Sequence, residues 1–290
     1  MTNLIRPVDV PPLSLRRFQD KVALVTGAAR GQGRSHALRF ASEGADVIAV
    51  DRCADIGSVR YPLASPSELD QTVADVRALG SRCVAAVVDV RCLGELTTAV
   101  DRAVAELGRL DVVAANAGIS SAGPAAELAE EAWGDVVDVN LTGVWHTCRA
   151  AIPHLRRGDG DRAIVVTGSA AGLTGYAGIA HYVAAKHGLV GLVRCLAQEL
   201  AADGIRVNGL HPTQVDTPMI MNDALMQLFC LEIDRPTRRD FAAASQRMHR
   251  LPVPWVEPAD VSAALAFLAS EEARAITGVA LPVDCGVLLR

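Results

Sequence analysis

Short apolar runs alternate with amphipathic segments along most of this chain, and this alternation limits the possible folds more than any other feature. Short apolar runs bounded by turn residues are typical of buried strands, whereas apolar residues repeating every three to four positions are typical of helices. The predicted strands are Val22–Thr26, Asp46–Val50, Arg82–Val88, Asp111–Ala115, Ala163–Thr167, Arg206–Leu210 and Val279–Val283. The predicted helices are Arg34–Glu43, Glu68–Leu79, Leu93–Leu107, Glu127–Leu155, Tyr182–Ala202 and Pro258–Ala269.

Glycines lie where each predicted helix should give way to a strand. Gly44, Gly80, Gly108 and Gly204 occupy such positions, where a left-handed residue often ends a helix. Strands connected through helices pair in parallel and carry helices on both faces. We therefore predict an α/β fold, a Rossmann-type doubly wound parallel sheet of about seven strands. It should form a single domain over residues 18–290, after a flexible N-terminal arm over residues 1–17.

Two stretches interrupt the alternation and are candidates for ligand binding. Residues 52–66 form a longer connection than is usual after a strand, and their prolines argue against a helix. Residues 211–258 contain two helix-like pieces, Asn222–Ile233 and Thr237–Met248. Long insertions at the carboxyl ends of strands often carry binding function, although an oligomer contact is the alternative for the second stretch.

The second stretch is rich in apolar side chains at helical spacing. They could line a substrate pocket or simply form ordinary core. The candidate lining residues are Met219, Ile220, Met221, Leu225, Met226, Leu228 and Phe229.

Composition excludes several classes of protein. The formal charge of −5, without a basic cluster, argues against a nucleic-acid binder. No apolar run is long enough to cross a bilayer, and the N-terminus does not resemble a signal peptide, so a cytoplasmic location is expected. The seven cysteines are scattered and include no C-x-x-C pair. They are expected to be free thiols, not disulfides or metal ligands.

A glycine-rich loop, Thr26-Gly-Ala-Ala-Arg-Gly-Gln-Gly33, follows the first predicted strand and opens a helix. Gly27, Gly31 and Gly33 would let the backbone approach a pyrophosphate at the helix N-terminus. Arg30 and Gln32 of the same loop are expected to contact the cofactor as well. This strand–loop–helix context predicts a dinucleotide site.

The end of the second strand indicates which dinucleotide binds. Asp51 lies there, where a carboxylate accepts hydrogen bonds from ribose hydroxyls and repels a 2′-phosphate. Arg30 and Arg52 could instead pair with that phosphate. The position of Asp51 favours NAD over NADP. Asp89-Val90 and Asn116-Ala117-Gly118 end the third and fourth strands and should line the same crevice.

Tyr182 and Lys186 are four residues apart in a predicted helix, and Ser169 lies upstream of them. Side chains at this spacing share one helix face. A lysine beside a tyrosine favours the ionised phenol, which alcohol–carbonyl interconversion can use as a base. The same spacing is common on ordinary helices, so the surrounding motifs must decide.

Taken in order, the glycine loop, Asp89, Asn116-Ala117-Gly118, Asn140, Ser169, Tyr182 and Lys186 resemble the short-chain dehydrogenase/reductase family. Further details resemble its mycofactocin-associated, carveol dehydrogenase-like subfamily. These details are residues 31–36, 60–63, 140–146, 179–188 and 211–219.

The family resemblance implies a role for each catalytic candidate. Tyr182 would be the general base in alcohol oxidation and the general acid in reduction. Lys186 would bind the nicotinamide ribose and lower the tyrosine pKa. Ser169 would orient the substrate oxygen, and Asn140 would support a proton-relay water. Cofactor contacts are also implied for Tyr182, Lys186, Pro212, Val215 and Thr217.

The subfamily resemblance implies a hydrophobic secondary alcohol substrate, such as a carveol-like terpene alcohol. It also implies that residues 52–66 cover a tightly held NAD, reoxidised by a mycofactocin-type carrier, and that the protein is a homotetramer. The apolar residues 287–289 are expected to add to exposed apolar surface. The alternatives are an NADPH-dependent carbonyl reductase and a non-catalytic nucleotide-binding regulator. The chain departs from the family pattern at Gly168, where many relatives have serine, and at Cys285.

Overall fold

The computed structural model of the protein describes residues 16–289. Residues 1–15 of the predicted N-terminal arm lie outside the described residues. Within the described part, no helix is both long and apolar enough to span a membrane.

Seven strands form one sheet in which every neighbouring pair is parallel, in the order β3-β2-β1-β4-β5-β6-β7. The strands are β1 Val22–Thr26, β2 Asp46–Asp51, β3 Cys83–Val87, β4 Val112–Ala115, β5 Arg162–Thr167, β6 Ile205–Pro212 and β7 Ala280–Val283. The order reverses between β1 and β4, where doubly wound sheets bind nucleotides. The predicted fold class is therefore confirmed.

The connections between strands are helical. The α-helices are α1 Gly31–Ser42, α2 Pro66–Ala78, α3 Leu93–Leu107, α4 Glu130–Val137, α5 Gly143–Arg157, α6 Ala180–Leu200, α7 Asp223–Phe229, α8 Arg238–Met248 and α9 Pro258–Ala269. The glycines predicted to end helices, Gly44, Gly80, Gly108 and Gly204, all have positive φ.

The two faces of the sheet build two separate cores. Val22 and Leu24 of β1 belong to a cluster that includes residues of α3, α5 and α6, whereas Ala23 and Val25 belong to a cluster with α1, α2 and α9. Alternate residues of a strand point to opposite faces, so a strand covered on both sides must be apolar throughout. This burial explains the continuous apolar runs in the sequence.

The segment predicted as one helix over Glu127–Leu155 is helical from Glu130 to Arg157 but is not a regular α-helix throughout. Helix α4 ends at Val137, residues Asp138–Thr142 form a π-helical turn, and α5 begins at Gly143. The chain packs closely against the segment that follows β3 here, because a Cβ added to Gly143 would lie 2.5 Å from Cγ2 of Val90. Single π-helical turns inside helices are frequent at functional sites.

Smaller differences have local causes. Helix α7 ends at Phe229, short of the predicted Ile233, because Cys230 leaves helical geometry with φ −127° and ψ 53°. Val287, expected at an exposed apolar terminus, is 1% exposed, whereas Leu289 is 71% exposed. All seven cysteines are free, and Cys53, Cys83, Cys148 and Cys230 are buried.

Candidate active site

Ser169, Tyr182 and Lys186 come together at the carboxyl end of the sheet. Ser169 follows β5 directly, and Tyr182 and Lys186 lie in the first turns of α6. The ammonium Nζ of Lys186 lies 5.5 Å from the centre of the Tyr182 ring and donates a hydrogen bond of 2.7 Å to the carbonyl oxygen of Thr167. The helical spacing therefore brings the two side chains onto one face, next to the end of β5.

Burial sets the acid–base properties of this group. It raises the pKa of Tyr182 above its ordinary value, while a hydrogen bond with the Ser169 side chain opposes the rise. Burial also lowers the pKa of Lys186 to about 7. The ligand-free site thus favours a neutral tyrosine beside a lysine that titrates near neutrality.

Asn140 lies in the π-helical turn and is completely buried. Its Nδ2 donates to the carbonyl oxygens of Ile119 and Val136, each at 2.9 Å, and its Oδ1 accepts from the Ile119 N–H at 3.1 Å. A Cβ added to Gly118 would lie 2.7 Å from this Oδ1 and 3.8 Å from Nζ of Lys186. Asn140 therefore holds the segment after β4 beside Lys186. The proton-relay role stays a prediction.

A nucleotide-sized cleft opens at the point where the strand order reverses. The predicted cofactor residues that line it are Gly27, Arg30, Gly31, Gln32, Gly33, Asp51, Asp89, Val90, Asn116, Ala117, Gly118 and Thr217. Thr26 ties β1 to the segment after β4, since its Oγ1 accepts from the Asn116 and Ala117 N–H groups at 3.1 and 3.2 Å.

Two glycines of the loop lie where no side chain could be accommodated. A Cβ on Gly33 would lie 1.9 Å from the carbonyl oxygen of Gly27, and Gly27 itself has φ +69° and faces Ala117 at 3.0 Å. These contacts require glycine at both positions. The N-terminus of α1 consequently faces the cleft through bare backbone, as anion sites at helix N-termini do.

The charged side chains of the cleft bond either to backbone groups or to one another. Asp51 accepts hydrogen bonds from the N–H groups of Ala29 and Cys53, both at 3.0 Å. Arg30 donates to the carbonyl oxygen of Pro62. Arg52 pairs with Asp89 at 3.1 Å, and Asp89 also pairs with Arg91 at 2.8 Å. The two arginines that could compete for a 2′-phosphate are thus already engaged within the protein.

An apolar pocket adjoins the cleft and contains the catalytic candidates. Ser169 and Tyr182 line it, together with Pro212 and Val215, which were predicted as cofactor contacts. Gln32, Thr217 and Met219 line both spaces and mark their junction. Lys186 lines neither space and lies beneath Tyr182.

Five of the seven predicted apolar lining residues are in place: Met219, Ile220, Leu225, Leu228 and Phe229. Met221 and Met226 do not line the pocket, and for these two the alternative of ordinary core holds. These two pack instead against a small core around Phe241. Helical spacing alone could not show which face of the segment this second core would take.

Sequence reasoning missed three residues of the site. Tyr61, in the 52–66 stretch, accepts a hydrogen bond through Oη from the Ser120 N–H at 3.2 Å and lines the cleft. His211 donates through Nδ1 to the carbonyl oxygen of Ser169 at 2.8 Å. Gln214 lines the apolar pocket. Tyr61 and His211 lie within segments that carried the family resemblance, and Gln214 lies between the predicted contacts Pro212 and Val215. Their closeness in sequence to these segments was the signal that could have identified them.

Comparison with known proteins agrees with this geometry. A family model described as short chain dehydrogenase matches residues 21–227. The chain is 54% identical over 277 residues to (−)-trans-carveol dehydrogenase from Rhodococcus erythropolis, and the alignment covers 95% of this chain and all of that enzyme.

Two solved structures are also similar. Carveol dehydrogenase from Mycobacterium avium in complex with NAD is 49% identical with a TM-score of 0.93, covering 94% of this chain and 99% of that one. A short chain dehydrogenase from Mycobacterium paratuberculosis bound to NAD is 40% identical with a TM-score of 0.87, covering 94% and 100% of the two chains.

Proposed function

The chain belongs to the short-chain dehydrogenase/reductase family and is an oxidoreductase, and we propose that it uses NAD to interconvert a hydrophobic secondary alcohol and its ketone. The observation that carries the proposal is the position of Tyr182 and Ser169 in an apolar pocket that meets the nucleotide cleft at Gln32, Thr217 and Met219. Carveol-like terpene alcohols are candidate substrates because the similar proteins include carveol dehydrogenases.

The residues of the cleft fit a dinucleotide. The cradle formed by Gly27 and Gly33 exposes backbone at the start of α1, where a pyrophosphate would be held. Asp51 lines the cleft at the end of β2, where it would accept hydrogen bonds from the adenosine ribose. Both similar solved structures contain NAD. When bound, NAD supplies the hydride acceptor for alcohol oxidation or, in its reduced form, the donor for ketone reduction.

The protein's own residues would manage the proton. Ser169 would donate a hydrogen bond to the substrate oxygen and place it beside Tyr182. Tyr182 would take the hydroxyl proton during oxidation and return it during reduction. The charge on Lys186 would favour the tyrosinate, because a nearby positive charge lowers the pKa of a phenol.

We further propose that NAD is held tightly beneath residues 52–66 and is reoxidised in place by a mycofactocin-type carrier. This stretch is anchored around the cleft through Tyr61 to Ser120, through Pro62 to Arg30, and through Ser58 Oγ to Asp135 Oδ2 at 2.6 Å. Release of a bound dinucleotide would require some of these bonds to break. Rapid turnover with free NAD as the sole acceptor would contradict trapping.

A homotetramer is proposed on the family resemblance. Exposed apolar surface supports association: Trp133 on α4 and Trp145 on α5 are 45% and 40% exposed. Sedimentation velocity decides the point, since a monomer at micromolar concentration would contradict it.

The function is tested by following nicotinamide absorbance with a panel of secondary alcohols and NAD or NADP. We expect oxidation of apolar secondary alcohols, with tighter binding of NAD than of NADP. Preference for NADPH would favour the carbonyl reductase alternative. Tight NAD binding without oxidation of any alcohol, even with an artificial electron acceptor, would favour the non-catalytic regulator.

A further inference from the structure

One polar side chain in the apolar pocket has no evident purpose in the fold. Gln214 follows β6 and is 7% exposed. Its backbone is fixed, because its carbonyl oxygen accepts from the Val256 N–H at 3.0 Å and Val215 forms a parallel bridge with Val256. Among residues 16–289, neither Nε2 nor Oε1 of Gln214 has a hydrogen-bond partner.

Burying such an amide is costly. Each buried donor or acceptor left unpaired costs about 1–3 kcal/mol, and buried polar groups in native proteins are otherwise nearly always satisfied. A methionine or leucine of similar size would pack in an apolar pocket without this cost. The amide is therefore explained more readily by a ligand than by the stability of the fold.

The position of Gln214 identifies which ligand it would meet. Gln214 lines the apolar pocket with Ser169 and Tyr182 but does not line the nucleotide cleft, whereas Gln32 and Thr217 line both. Gln32 also has a buried Oε1 without a partner and lies at the junction, where a nicotinamide amide would reach it. Gln214 thus belongs to the wall of the apolar pocket that holds Ser169 and Tyr182, and not to that of the nucleotide cleft.

The hydroxyl of Thr213, the residue before Gln214, already has a hydrogen-bond partner within the protein. Thr213 Oγ1 lies 2.9 Å from Nε2 of His249, and Nδ1 of the same ring donates to the carbonyl oxygen of Val253 at 2.7 Å. Since Nδ1 carries the proton, Nε2 accepts from Thr213. The Thr213 hydroxyl proton is therefore used within the protein, whereas the amide of the adjacent Gln214 has no partner among the described residues.

We propose that Gln214 binds a second oxygen of the substrate, so that the preferred substrates are apolar secondary alcohols that carry an additional carbonyl or hydroxyl group away from the reacting carbon. A carboxamide donates to a carbonyl and accepts from a hydroxyl, so both kinds of group would satisfy it. This inference rests on the proposed hydride-transfer function and narrows its substrate class. A site built to hydrogen-bond such a group discriminates against analogues that lack it.

The test compares two matched substrates in wild type and in Gln214→Met. The substrates are cyclohexanol and the hydroxycyclohexanone whose carbonyl lies across the ring. Wild type should prefer the hydroxyketone in kcat/KM, and Gln214→Met should reduce that preference about 10- to 100-fold while leaving cyclohexanol within about threefold. An unchanged preference would overturn the proposal. So would an equal loss for both substrates accompanied by weaker NAD binding, because the amide would then serve the cofactor.

A second readout does not depend on activity. Gln214→Met should raise the melting temperature of the ligand-free protein, because it removes a buried unpaired amide. It should also weaken calorimetric binding of cyclohexanedione about tenfold or more in the complex with oxidised NAD, which has no hydride to transfer to the dione. Gln198→Met, at an exposed position on α6, is the matched control and should change neither quantity. A lower melting temperature would assign Gln214 a structural role and overturn the proposal. If wild type bound the dione and Gln214→Met weakened that binding, yet no alcohol was oxidised, the proposed function would fail and only the assignment of Gln214 as a group that binds a ligand oxygen would stand.

Discussion

His211 occupies the space that a side chain at position 168 would need: a Cβ added to Gly168 would lie 2.6 Å from Cε1 of the His211 ring. Burial lowers the pKa of His211 below its ordinary value, and the hydrogen bond to the Ser169 carbonyl oxygen opposes this in part. The ring therefore sits neutral beneath the strand end that carries Ser169. This packing accounts for the absence of a second serine before Ser169.

We expect Gly168→Ala to destabilise the protein by about 1–3 kcal/mol, the usual cost of overpacking. His211→Ala should also destabilise it, since it removes the bond to Ser169. In the double variant the added methyl would enter the space vacated by the ring. The two effects should then be non-additive by at least about 0.5 kcal/mol in denaturant unfolding. Strict additivity would contradict the contact.

Tyr61→Phe should speed NAD release. It leaves the Ser120 N–H without its acceptor and removes one anchor of residues 52–66. One hydrogen bond corresponds to about three- to tenfold in the dissociation rate, measured by displacement from the NADH-loaded protein. Thr98→Ala, on the exposed face of α3, is a suitable control. A release rate equal to that of wild type would mean that Tyr61 does not restrain the cofactor.

Lys186 should make stability depend on pH in a specific direction. Its pKa is lowered from 10.5 to about 7 by burial, so between these values the unfolded chain binds more protons than the folded one. The free energy of unfolding should therefore rise with pH across this window, and the penalty should be fully present below pH 7.

The comparison variant is Lys186→Met. The difference in unfolding free energy between variant and wild type should be largest at about pH 6 and should shrink towards about pH 10, by an amount on the order of a few kcal/mol. Tyr182 and His211 lie close enough to respond to the lysine charge. Wild type and variant should both be measured without ligand, since the lowered lysine pKa belongs to the ligand-free protein. A difference that does not change with pH would contradict the lowered lysine pKa.

Much of the fold could be predicted because local and global requirements agree. Strands buried on both faces must be apolar throughout, and glycines such as Gly108 end helices in the left-handed conformation. The loop at Gly27–Gly33 and the spacing of Tyr182 and Lys186 are likewise local patterns. Such features can be read from short segments of sequence.

What could not be predicted depends on distant partners. Strand β6 was expected to end at Leu210 but continues to Pro212, because His211 and Pro212 pair with Pro282 and Val283 of β7. Met226 does not line the pocket and packs against a second core around Phe241. The π-helical turn between α4 and α5 lies where Gly143 packs closely against Val90. In each case, tertiary packing overrides a local pattern.

Tyr182 is proposed to transfer the proton during hydride transfer. The direct measurement is a single-turnover experiment, in which NAD-loaded protein is mixed with a secondary alcohol and the rise in nicotinamide absorbance is followed. We predict that Tyr182→Phe slows this rise at least about a hundredfold even when the protein is saturated with NAD, because general acid–base catalysis contributes that much. A Tyr182→Phe variant that oxidises the alcohol at the wild-type rate would show that Tyr182 is not the proton acceptor.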